Sequence, residues 1–196
     1  MDKYDKYYYE RYAELTLYSI FPEWTSHFTR SDRPDLQNEI DGIGIEVTSS
    51  TPSCIREAEV FGSRRLGKEV SIKDERRFSG KFYLSSGRTA YACSPTKGLV
   101  DTDRSAEIIA AITHKCSIWK DYRVFSKRGI YVFTGTSLID YEMIDKIEKS
   151  ESFAFFHMVF INAYDRLYYY ENGWKIKQFI DDELTEFKGQ SIEKDD

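Results

Sequence analysis

The sequence predicts an α/β fold in which helices cover a mixed central sheet, and three observations carry that reading. A helical stripe opens the chain at residues 3–20, a hairpin signal stands at Asp41-Gly42, and the β-type runs 129–134 and 153–162 each follow a helical pattern. A helix between two strands serves as the crossover of a parallel pair, whereas a hairpin is antiparallel, so the sheet mixes both. With 196 residues, 41% of them hydrophobic and 16% aromatic, the chain has material for one core. A single domain over residues 1–180 is expected, followed by an acidic tail over 181–196.

The elements follow in order. Residues 3–20 form the first helix: Tyr8, Tyr12, Leu15 and Ser19 fall on one stripe, Pro22 ends it, and Glu10 and Glu14 share a face four residues apart. After the hairpin, Ser49-Ser50-Thr51-Pro52-Ser53 reads as a turn with Thr51 or Ser53 as helix cap, and a helix is expected from Cys54 to about Phe78, with Gly62 and Gly67 as interruptions. Lys81–Ser85 reads as a strand, and Ser94–Asp103 is rich in turn residues. A helix from Arg104 to about Tyr122 buries Ile108, Ala111, Ile112, Cys116 and Trp119. Gly129–Thr134 is a buried strand added in parallel, Leu138–Lys149 a helix, and Phe153–Asn162 another strand. Asn172-Gly173, flanked by Arg166–Tyr170 and Trp174–Phe179, signals a second hairpin.

The first hairpin has a chemical face. A two-residue turn at Asp41-Gly42 sets Ile40 opposite Ile43, Gln37 opposite Glu46 and Asp35 opposite Thr48. Asp35, Gln37, Glu46 and Thr48 then share one face, while Leu36, Ile40, Ile43, Ile45 and Val47 line the other. Asp35 and Glu46 become diagonal neighbours, roughly 7 Å apart at the backbone and closer at their tips. That separation suits a divalent cation, although alternation alone also describes any strand with one wet face.

Pro34-Asp35, an eleven-residue step to Glu46, and the strand ending Ile45-Glu46-Val47-Thr48 resemble the PD-(D/E)xK nuclease superfamily over about residues 5–85. The resemblance implies a restriction-endonuclease-like sandwich that hydrolyses phosphodiesters in nucleic acid, most simply DNA. It implies Asp35 and Glu46 as ligands of Mg2+ or Mn2+, joined by the Val47 carbonyl and water, and a glutamate of the first helix, Glu10 before Glu14, reaching toward them. The pattern departs at Thr48, where the superfamily carries a lysine. Some members draw that lysine from the following helix, which points to Lys68 here, with Lys73 in reserve. A catalytically inactive, nuclease-derived binding or assembly module is the alternative. The oligomeric state stays open, a homodimer included.

Charge bounds the partners. The net charge of −5 is matched by residues 181–196, whose seven acids face two lysines, so the body is neutral and any nucleic-acid contact must be a local patch. The most basic stretch is 54–78, where seven cations meet five acids. Cys54, Cys93 and Cys116 and His27, His114 and His157 share no metal-ligand spacing, so a zinc site is not expected. There is no span-length apolar run and no signal-type N-terminus, which together point to a cytoplasmic protein without membrane partners. P-loop, G-x-S-x-G, G-x-G-x-x-G and H-E-x-x-H patterns are all missing.

Overall fold

The computed structural model describes residues 6–51, 68–77, 82–84, 90–93, 103–134, 136 and 138–191. The chain divides into two compact units: Lys3–Ser50 with Asp103–Asp196, and Thr51–Thr102. Within the second unit lie helix α3 (Ile72–Arg77) and an antiparallel pair, β4 (Phe82–Leu84) with β5 (Ala90–Cys93). The bulk of the helix expected over 54–78, with Cys54, and of the turn region 94–103 falls outside the described residues.

The first unit holds a seven-stranded mixed sheet in the order β1-β2-β3-β6-β7-β8-β9. Its strands are β1 (Thr29–Arg30), β2 (Leu36–Asn38), β3 (Ile43–Ser49), β6 (Lys127–Phe133), β7 (Met158–Ala163), β8 (Arg166–Tyr170) and β9 (Trp174–Gln178). β3, β6 and β7 run parallel, as the intervening helices require, and every other pairing is antiparallel. On one side lie α1 (Lys6–Tyr18) and α6 (Asp181–Gln190). Their Tyr12, Leu17, Leu184 and Phe187 pack against Leu36, Ile45, Tyr131 and Phe160. On the other side α4 (Ser105–Ile118) and α5 (Tyr141–Glu148) set Ile108, Ile112, Met143 and Ile147 against Ile130, Val132, Val159 and Ile161. Alternate residues of each central strand thus serve opposite cores. A short α2 (Pro22–Thr25) follows the first helix.

Several expectations are corrected. The acidic segment 181–190 is α6, held by its buried Leu184 and Phe187. α5 begins after Asp140, whose carboxylate accepts the Met143 N–H at 2.8 Å, so Leu138 stays outside the helix. Phe153–Phe155 is a 3-10 turn, and the strand starts at Met158.

The first hairpin is corrected in its turn. Leu36 faces Ile45, Gln37 faces Gly44 and Asn38 faces Ile43, a register two residues away from the expected one. The loop is therefore Glu39–Gly42, and only Gly42 takes positive φ (64°). Asn38 explains the longer turn: its Oδ1 accepts the Asp41 N–H at 3.0 Å, and its Nδ2 donates to Asp41 Oδ2 and to the Trp24 carbonyl. Ile40 consequently leaves the core and stands 77% exposed. A slip of two, unlike a slip of one, keeps every strand side chain on its expected face.

Candidate active site of the hairpin

Extending that register by one residue sets Asp35 directly across from Glu46, with backbones about 5 Å apart. Both are buried, at 3% exposure each. Asp35 Oδ2 accepts the Val47 N–H at 2.8 Å, and its Oδ1 is paired with Lys6 at 3.0 Å. Gln37 stands opposite Gly44 and donates to the Pro34 carbonyl at 2.9 Å, which fastens the segment before Asp35. Gly44 is needed there: a Cβ would lie 2.7 Å from the Pro34 ring and 2.8 Å from the Phe125 ring. A side chain at 44 would push away the proline that precedes Asp35.

Glu10, on α1, is buried as well, and Lys6 one turn earlier bridges it (3.2 Å) to Asp35. Burial first, and then the charge of Asp35, push the Glu10 carboxyl up to about 7, against the opposing pull of Lys6. Burial opposes the Lys6 ammonium, but hydrogen bonding and charge from Asp35 and Glu10 outweigh it and raise its pKa. Glu14 turns elsewhere, to Arg11 at 2.9 Å and Arg30 at 3.6 Å.

Glu46 lies on the α4 side of the sheet, where Lys115 donates to its Oε1. Its carboxyl is also raised, by burial and then by Asp35, while Lys115 and the nearby Tyr122 phenol work in the opposite direction. The other oxygen, Oε2, is buried and accepts no hydrogen bond. Thr48 shares this face and is half-buried.

Lys68 and Lys73 belong to the second unit and are exposed. The lysines that meet Glu10, Asp35 and Glu46 are Lys6 and Lys115, neither of which the motif spacing identifies. The signal for Lys115 was in the sequence nonetheless: it interrupts the stripe Ile108, Ile112, Lys115, Trp119, whose other three members are all buried. A lysine on the core-facing stripe of a helix needs an acid to meet it.

The donor chemistry suits a divalent cation, since hard carboxylate oxygens come from two adjacent strands and one of them, Glu46 Oε2, is unmatched. Among the described residues, no three His, Cys, Asp or Glu side chains form a ready-made metal cluster. Two carboxylates would therefore hold such an ion, with water completing its shell. No helix among the described residues is long and apolar enough to cross a membrane. No family model matches the chain, and neither the curated proteins nor the solved structures give a match.

Proposed function

We propose that the protein is a divalent-metal-dependent nuclease of the restriction-endonuclease-like kind, hydrolysing phosphodiester bonds in DNA. The observation that carries this reading is the Glu46 carboxylate: 3% exposed, across the strand pair from Asp35, bonded to Lys115 through one oxygen and unpartnered at the other. A buried acid with an unmatched oxygen is costly to the fold by itself, and such groups cluster where chemistry needs them.

Asp35 and Glu46 would hold Mg2+ or Mn2+, which when bound polarises a phosphate and lowers the pKa of water. Asp35 is oriented for this by the Val47 N–H, and Glu46 by Lys115. Lys115 takes the role that Thr48 cannot fill and that the family resemblance gave to Lys68: an ammonium beside the reacting phosphate, offsetting charge as it develops. Glu10, raised to about 7 by burial and the charge of Asp35, can accept or release a proton near neutrality.

The test is incubation of purified protein with single-stranded, double-stranded and branched DNA in Mg2+ or Mn2+. Cleavage is expected, with loss of roughly 100-fold or more in Asp35→Asn and Glu46→Gln. Calorimetry should show Mg2+ binding lost in Asp35→Asn. If wild-type protein cuts none of these substrates in either metal, the nuclease reading falls and a binding module takes its place.

A further inference from the structure

The hairpin of β8 and β9 closes one side of the seven-stranded sheet, and the outer edge of β9 is a row of unpaired main-chain groups. The Glu171 N–H donates to the Gly173 carbonyl at 3.2 Å and the Phe179 N–H to the Asp165 carbonyl at 2.8 Å, each across the hairpin register. Such exchanges recur at every second residue of an antiparallel pair, so Lys175 and Lys177 turn their main-chain groups to β8 while Trp174, Ile176 and Gln178 turn theirs outward. β9 is the last strand, and among the described residues nothing is hydrogen-bonded to that outer row. The two faces beside the edge differ in charge. On the α5 side, Trp174 and Ile176 border a cleft of about 550 Å3 whose opposite wall is α5, with Ile176 61% and Tyr141 87% exposed. Asp140, Asp145 and Glu148 line this cleft with no lysine or arginine among the lining residues, and of the three only Asp145 has an ion-pair partner among the described residues, Lys149 at 2.7 Å. On the α6 side β9 presents Lys175 and Lys177, whose acids, Glu171 and Glu183, stand at 3.8 and 3.7 Å.

We propose that β9 docks an extended segment of another protein as an eighth strand, one whose residues alternate between basic and acidic. Main-chain hydrogen bonds to the outer row supply affinity in this mode, and the alternate side chains supply specificity. An added strand repeats the pleat, so its residues opposite Trp174, Ile176 and Gln178 project on the cleft side and those opposite Lys175 and Lys177 on the other. On the cleft side a lysine or arginine lays its stem along the exposed Tyr141 and Ile176 and brings its charge to the carboxylates. On the other side an acid meets each lysine of β9. A second copy of this chain is the wrong occupant: the longest antiparallel overlap of two β9 strands sets lysine opposite lysine, and lysines on an edge strand act against such pairing. This inference stands apart from the nuclease reading, since neither the edge nor the cleft includes a residue of that site.

The experiment uses the full chain and a capped peptide of alternating arginine and glutamate that begins and ends in arginine, with binding read by calorimetry and by NMR-detected hydrogen exchange. The peptide should bind with a Kd at or below about 1 mM. The amides of Trp174, Ile176 and Gln178 should exchange fast in the free protein and slow on binding, while those of Lys175 and Lys177, already bonded to β8, change little. In the docked strand the arginine N–H groups face β9 and the glutamate N–H groups face away. N-methylation of two inner arginines should therefore weaken binding at least about tenfold, and N-methylation of two glutamates by no more than about twofold. The double variant Lys175→Glu, Lys177→Glu, checked for folding by thermal melt, should bind this peptide at least about tenfold more weakly and an arginine-threonine alternating peptide about as well as wild type does; the two N-methylated peptides make the same decision on wild-type protein if that variant fails to fold. The proposal is overturned if the parent peptide does not bind, if the two N-methylated peptides bind equally, or if binding leaves the three outer amides unprotected. It is overturned as well if the protein alone dimerises with concentration and protects those amides, which would make a second copy the occupant.

Discussion

Replacing Glu10 by glutamine should make the metal-free protein more stable at alkaline pH while leaving it nearly unchanged in acid. The folded carboxyl titrates at about 7 against 4.5 in the unfolded chain, so between those values the native state holds the extra proton. Stability therefore falls as pH rises through that window and is fully present only below it. Each unit of displacement corresponds to about 1.4 kcal/mol, which gives about 3 kcal/mol for a side chain only 11% exposed. Glutamine resembles the protonated acid in size and neutrality, so it escapes this loss. At pH 8 in EDTA the variant should exceed wild type by about 3 kcal/mol, or roughly 6–12 °C in Tm, and at pH 4 the two should coincide. Urea denaturation at several pH values, read as the difference between the proteins, isolates this one group from the others that titrate. Parallel pH profiles, or a glutamine variant that is the weaker at pH 8, would refute the argument that burial and Asp35 raise Glu10.

Three further outcomes follow from the same cluster. Lys115→Ala should lower metal-dependent cleavage by roughly 100-fold while Lys68→Ala leaves the rate unchanged, because Lys115 is the lysine that meets Glu46; equal losses in single-turnover assays would return the role to Lys68. Lys6→Ala should tighten Mg2+ binding several-fold by calorimetry, since it removes a cation that competes for Asp35; weaker binding would show that Lys6 supports the site. Gly44→Ala should cost about 1–3 kcal/mol in chemical denaturation and lower cleavage as well, because its Cβ would press on the rings of Pro34 and Phe125; a stable, fully active variant would break the link between Gly44 packing and Asp35.

The alternation of the hairpin was legible in the sequence because β structure has period two, so an error of two residues in the turn left Gln37 and Glu46 on the same face of the strand pair. The turn itself was misread, since Asp-Gly suggests two positive φ values, whereas the Asn38 side chain closes a longer loop that needs one. The parallel order of β3, β6 and β7 followed from the helices between them, and the Asn172-Gly173 hairpin from its turn residues. Residues 181–190 concealed their helix because seven acids in the last sixteen residues dominate the composition, while two apolar anchors, Leu184 and Phe187, decide the packing. Lys6 and Lys115 were hidden for a different reason. Each acts across a sequence gap, of 29 residues to Asp35 and 69 to Glu46, that no local pattern spans.

The two lysines are not equivalent, and their difference says how the cluster can serve chemistry. Glu10, Asp35 and Glu46 carry three negative charges when ionised, and Lys6 and Lys115 return two, leaving one charge and one oxygen, Glu46 Oε2, unanswered. A cation entering beside Asp35 must compete with an ammonium already there. Lys6 is the one able to withdraw: its side chain is 63% exposed and also reaches the exposed Asp32 at 3.4 Å, so it keeps a partner and its hydration outside. Lys115 is only 19% exposed, rises from the last turn of a helix anchored by Ile108 and Ile112, and among the described residues pairs with Glu46 alone. On the metal reading, an ion held by Asp35 and Glu46 would take the place of Lys6 and leave Lys115 on Glu46, which would keep one fixed positive charge beside the acids. Preorganised charge of that kind stabilises a developing anion without reorganising at the moment of reaction.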